Sequence, residues 1–126
     1  MLRDEQSVSL RWAEIVERYR ELHPRHRQEP MTALVLAVAE AGVKNNIWPG
    51  TSHFDLSATS YDAEAARHYP LPAERPSVFV VYWQVVDKFK LHCYNIQGVP
   101  YDIKWCELAE AQATMRYLFR IMGQAD

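Results

Sequence analysis

Glycine is scarce in this chain. Four occur in 126 residues, at positions 42, 50, 98 and 123, and none lies near another. No glycine-rich loop can be built from them, which excludes the backbone cradles that hold phosphate in nucleotide-binding motifs. Cysteine is scarcer still: Cys93 and Cys106 are the only two. They are too few for a disulfide framework and too far apart for a CxxC pair, so they read as free thiols. Charge of one sign is also lacking. Fourteen basic and 16 acidic residues leave a formal charge of −2, too small to hold a polyanion or an anionic bilayer, and neither nucleic acid nor membrane is an expected partner. The longest apolar run, residues 33–39, falls far short of the ~20 residues of a membrane span. The opening MLRDEQSVSLRWAEIV is charged from its third residue and has no apolar core of a signal peptide, so a cytoplasmic location is the expectation. Nucleophile elbow and HExxH motifs are missing as well. No cofactor is expected, and no motif names a reaction.

What the chain does have is an ordinary globular composition, 48% hydrophobic and 24% charged. At 14.7 kDa it is long enough to bury about two-thirds of its unfolded surface, a real core without metal or disulfide staples. Residues 7–22 carry Val8, Trp12, Ile15, Val16, Tyr19 and Leu22 at helical spacing, with Arg11, Glu14, Glu17, Arg18 and Glu21 opposite; this predicts an amphipathic helix stopped by His23-Pro24. Pro30 suits the start of a second helix ending near Gly42. That helix, MTALVLAVAEAG, has almost no polar face and is expected to be central and buried on most sides. VKNNIWPGTS reads as a turn region, HFDLSAT as a half-buried strand, a short helix is expected from Asp62, and PLPAERP is an extended linker.

Residues 77–96, SVFVVYWQVVDKFKLHCYNI, read as a hairpin turning near Asp87-Lys88 through a loop of even length. In that register Val78, Val80, Tyr82, Gln84 and Val86 share a face with Phe89, Leu91 and Cys93. The other face carries Phe79, Val81, Trp83 and Val85 with Lys90, His92, Tyr94 and Ile96. The first strand is therefore apolar on both sides, and something must cover the second. VPYDIKW adds a short third strand. In WCELAEAQATMRYLFRIMG, Trp105, Leu108, Met115, Leu118, Phe119 and Met122 form the stripe of a C-terminal helix that Gly123 ends.

The histidines are the natural candidates for chemistry. His23 and His26 sit in an arginine-rich connector without further ligands at metal spacing. His53 and Asp55 project from one strand face and could form an acid–base pair. His92 is expected between Lys90 and Tyr94, opposite Trp83 or Val85, in a surface suited to a protein partner or to an aromatic or cationic ligand. Cys93 alternates onto the apolar face. Cys106 falls at the predicted helix start, where a dipole would lower its pKa, but has no histidine close in sequence. The basic cluster Arg18, Arg20, Arg25 and Arg27 is interleaved with glutamates and reads as a solvated helix face.

These residues predict one α+β domain spanning residues 1–126: an antiparallel sheet centred on the 77–96 hairpin, with two N-terminal helices and one C-terminal helix. The expected function is that of a non-catalytic binding or regulatory module. Its second sheet face, through Trp83, Lys90, His92 and Tyr94, would contact a second copy in a homodimer or another protein. The alternative is a small-molecule-binding protein or enzyme with a pocket between the sheet and residues 44–62, lined by Trp48, His53, Asp55, Tyr61 and Asp62.

Overall fold

The first helix owes its position to four side chains. In a computed structural model that describes residues 4–26, 28–52, 54–60 and 76–124, helix α1 (Asp4–His26) turns Val8, Trp12, Ile15 and Tyr19 fully inward. The spacing of four, three and four residues is what places them on one stripe. On the solvent side Arg11 pairs with Glu14 and Arg20 with Glu17. The helix runs past His23-Pro24 to His26, correcting the expected stop. Proline's missing N–H removes one hydrogen bond, and so near a terminus the helix simply ends within a turn.

Helix α2 (Glu29–Lys44) has Pro30 in its first turn, as expected. It packs against α1 on one side and against α3 (Leu108–Gln124) on the other, so it is central in the helical layer. It is not buried all round: Met31, Thr32, Leu34, Val35 and Val38 are inside, while Leu36 is 48% exposed. Nor does Gly42 end it. Asn45 caps the last turn with both its backbone N–H and its Nδ2 on the Ala41 carbonyl, and Asn46 takes the left-handed conformation, φ 57°, that terminates helices. Gly42 serves a different purpose. A Cβ there would lie 2.4 Å from two ring carbons of Trp12, so the absent side chain is what lets α1 and α2 approach.

The sheet is a five-stranded antiparallel meander in chain order: β1 (Ile47–Ser52), β2 (Asp55–Ser60), β3 (Ser77–Trp83), β4 (Lys88–Tyr94) and β5 (Ile103–Cys106). WPG lies inside β1, where a turn was expected. Pro49 is tolerated because β1 is an edge strand and needs no donor on its outer side. The two faces of the β3–β4 hairpin are as expected, but the partners are not: the turn lies two residues earlier than Asp87-Lys88, so Val78 pairs with Cys93, Val80 with Leu91 and Tyr82 with Phe89, and His92 lies opposite Phe79 rather than Trp83 or Val85. The connection is residues 84–87, closed by Asp87 N–H on the Gln84 carbonyl, so Lys88 is already strand and Val85 is a turn residue, 94% exposed. Ile96 lies beyond β4 and packs against the core rather than continuing the second face.

All three helices cover one side of the sheet. Leu56, Ala58, Val78, Val80, Phe89, Leu91, Cys93 and Cys106 form one buried cluster with the helix stripes, including Ala111, Met115, Leu118, Phe119 and Met122 of α3. Directed bonds fix the layers: Trp12 Nε1 donates to the Ile47 carbonyl at 2.8 Å, the Tyr19 hydroxyl to the Phe54 carbonyl at 2.9 Å, and Ser60 Oγ to the Met122 carbonyl at 2.9 Å. Burial drives the Tyr19 phenol well above the usual tyrosine range, with the Asp55 carboxylate adding to the effect. The helix expected from Asp62 and most of PLPAERP lie outside the described residues. Among those described, no helix is long and apolar enough to cross a membrane.

Candidate interaction surface

Side chains alternate along a strand, so the residues between the core positions of β3, β4 and β5 share the opposite face. They are Phe79, Val81 and Trp83 on β3, Lys88, Lys90, His92 and Tyr94 on β4, and Ile103 and Trp105 on β5. Register then sets who meets whom: Phe79 lies opposite His92, Val81 opposite Lys90, and Lys90 and His92 opposite Trp105 and Ile103. The second helix does not cover this face, because it belongs to the layer on the other side.

Two aromatic groups result. Phe79 and Tyr94 meet edge to face at 5.5 Å, and His92 stacks parallel to Tyr94 at 6.4 Å. Farther along, Trp83 and Trp105 lean toward each other across β4, ring centroids 6.3 Å apart, and the Lys90 ammonium sits 5.2 Å from the Trp105 ring centre. That contact uses the lysine stem to cover an indole while its charge stays on the ring face. Trp83, Tyr94, Ile103 and Trp105 each remain 46–49% exposed. The apolar surface continues onto the turn through Val85 and Val86.

Trp83, Lys90, His92 and Tyr94 share one face as the alternation predicts, but His92 and Tyr94 lie with Phe79 at one end and Trp83 with Lys90 at the other, and the sequence reading did not include Ile103 and Trp105. Trp105 is three residues before Leu108, a helical spacing, and was assigned to the α3 stripe; it belongs to β5 instead. The signal that would have found it is the strict alternation of Ile103 and Trp105 with Lys104 and Cys106. Cys106 correspondingly ends a strand rather than starting a helix, and burial pushes its thiol up to about 11. Burial pushes the Cys93 thiol up as well. Both are therefore protonated and poor nucleophiles at neutral pH.

The pocket alternative is only partly within view, since His53, Tyr61 and Asp62 lie outside the described residues. Trp48 has the Arg11 guanidinium 5.7 Å above its ring and packs against the core from the edge strand. Asp55 begins β2. Neither joins the β3–β5 cluster. A hollow beside β1 runs along the outside of α1 between Arg11, Glu14, Arg18 and Thr51, a charged and open surface rather than the apolar cleft that small ligands usually fill. Among the described residues, no three His, Cys, Asp or Glu side chains are grouped so as to hold a metal ion. Comparison with family models, curated proteins and solved structures finds no match to this chain.

Proposed function

We propose that this protein is a non-catalytic contact module whose β3–β5 face docks a second copy of the same chain. The observation that carries the reading is a contrast within one sheet. On β2 the positions alternating with the core are polar, Ser57 and Thr59, Thr59 being buried with its hydroxyl on the Pro76 carbonyl. On β3 and β5 the equivalent positions are Phe79, Val81, Trp83, Ile103 and Trp105. With Trp83 47% and Trp105 46% exposed, each indole leaves on the order of 100 Å² to bury, worth about 2.5 kcal/mol.

Area and charge both bear on the occupant. Three strands spaced about 4.8 Å apart and some 23 Å long give a footprint on the order of 300 Å², which side-chain relief and the turn raise toward ~500 Å². A standard interface takes about 800 Å² per partner, so this one belongs to the weaker, reversible class. A flat face suits another flat face, sheets stacking at about 10 Å, and a twofold axis makes one patch complementary to itself. The formal charge of −2 offers little self-repulsion. The central strand of the patch, β4, carries Lys88, Lys90 and His92, and Lys90 is laid over its own Trp105.

The test is a pair of variants, Trp83→Ala and Trp105→Ala, alone and together, followed by sedimentation velocity and circular dichroism on the same samples. Folded protein that has lost its concentration-dependent association is the expected result. Variants that associate as the wild type does would remove this face from the interface. A variant that unfolds would reassign the indole to structural packing.

A further inference from the structure

The middle strand of the open face is basic along its length. Lys88, Lys90 and His92 alternate down β4, and the side chains beside them are Trp83, Val81 and Phe79 on β3 and Trp105 and Ile103 on β5. None of those five is ionisable. His92 itself is half-buried, with Phe79 on one side, Ile103 on the other and the Tyr94 ring stacked along the strand. The nearest acid in register, Asp102, belongs to the other side of the sheet, where its carboxylate raises the Cys93 thiol. Lys104 is on that side too, paired with Glu110. Asp87 is held by the Tyr82 hydroxyl at the turn, and Glu107 follows β5 at the Lys88 end, four positions beyond Ile103. Among the described residues, the charged neighbour of His92 on its own face is therefore Lys90.

We infer that acid releases the second copy: the β3–β5 face docks while His92 is neutral and lets go when His92 takes a proton. This rests on the second-copy reading of that face and adds its regulation. Sheets stacked face to face run aligned within about 30°, and a twofold axis through the middle of a three-strand patch passes near Lys90. With the axis along β4, His92 lies over its own twin. With the axis across β4, it lies over Lys88 of the partner subunit. Either way a protonated imidazole meets a positive group across the interface, and the symmetry makes it happen twice. Lys90 escapes the same conflict by length, since its stem lies along Trp105 and lets the ammonium reach the rim. The short imidazole has no such reach, and a buried charge without a partner is costly. In the free protein the ring meets water and accepts the proton. The dimer thus favours the neutral form and the monomer the charged one, so association is complete at high pH and is lost as pH falls. Imidazole is the side chain whose charge changes in the range between about pH 8 and 5.

The test is the self-association Kd of the full chain, measured by sedimentation at about pH 8, 7 and 5.5 and constant ionic strength, with circular dichroism on each sample. Kd should rise about tenfold or more across that range. His92→Gln, which has no charge to gain, should hold one Kd throughout. His92→Lys, charged at every pH, should already associate about tenfold or more weakly at pH 8, an arm that needs no acid at all. The histidines at 23, 26, 53 and 68 remain in both variants, so an acid response that survives His92→Gln would overturn the inference. So would a wild-type Kd that ignores pH, or a His92→Lys protein that associates at pH 8 as tightly as the wild type. Those results would leave the second-copy reading standing. A wild-type chain that stays monomeric at pH 8 would overturn that reading and the switch together.

Discussion

Replacing Gly42 by alanine sets two known effects against each other. In a helix interior alanine is favoured over glycine by about 1 kcal/mol, because glycine loses more backbone freedom on folding. Propensity alone therefore predicts a more stable protein. The structure predicts the reverse. The new Cβ would sit 2.4 Å from Trp12 Cε2 and Cζ2 and 2.7 Å from Nε1, well inside van der Waals contact. The indole has nowhere to go: it is 1% exposed, its N–H is held by the Ile47 carbonyl at 2.8 Å, and its ring meets Phe119 at 5.8 Å. Relief requires parting α1 from α2 or breaking that hydrogen bond, which strands a buried carbonyl. Overpacking of this kind costs about 1–3 kcal/mol and the orphaned group about 1–3 more. Against a gain of about 1, the net loss should be about 1–5 kcal/mol. Urea unfolding should show a lower midpoint with an unchanged slope. Trp12→Phe, costly by itself, should make the alanine less harmful in the double variant, a coupling that a mutant cycle measures. A Gly42→Ala protein as stable as the wild type would refute the tight helix–helix contact.

Other outcomes follow from the same core. Leu118, fully buried on α3, should cost about 2–5 kcal/mol when cut to alanine; a loss below about half a kcal/mol would make α3 peripheral. Cys106 is neutral in the fold with its pKa raised from 9.0 to about 11, so folding favours its protonated form. Its contribution is complete below about pH 9 and is lost as pH rises toward 11, a slope worth about 2–3 kcal/mol that Cys106→Ala should flatten in alkaline melts. Both thiols are buried and free, and should react with an aromatic disulfide reagent only as fast as the fold opens; immediate reaction of either in native protein would contradict its place in the core.

Elements with a strong period were legible in the sequence, and those decided by neighbours were not. The stripes of α1 and α3 and the two faces of the β3–β4 hairpin follow from spacing alone, since a slip of one residue would have put Val78, Val80 and Leu91 in water; the register itself did not, because a shift of the turn by two residues keeps every side chain on its face while changing every partner. The α+β class followed with them. By contrast, β1 hid behind Trp48-Pro49-Gly50, whose turn chemistry is overridden by an edge position that α1 supports. Gly42 looked like a terminator because local rules cannot see Trp12 thirty residues away. The four face positions Trp83, Lys90, His92 and Tyr94 were readable because alternation within one hairpin fixes their face. Trp105 was not, because its spacing to Leu108 fits a helix as well as the start of a loop leaving a strand.

Sedimentation equilibrium of the wild-type chain, from low to high micromolar concentration at moderate salt, tests the proposed use of the open face most directly. The predicted mass rises smoothly from 14.7 kDa toward twice that value, reversibly on dilution, as a modest apolar patch requires. A single species at 14.7 kDa across the whole range would contradict self-association through Trp83 and Trp105.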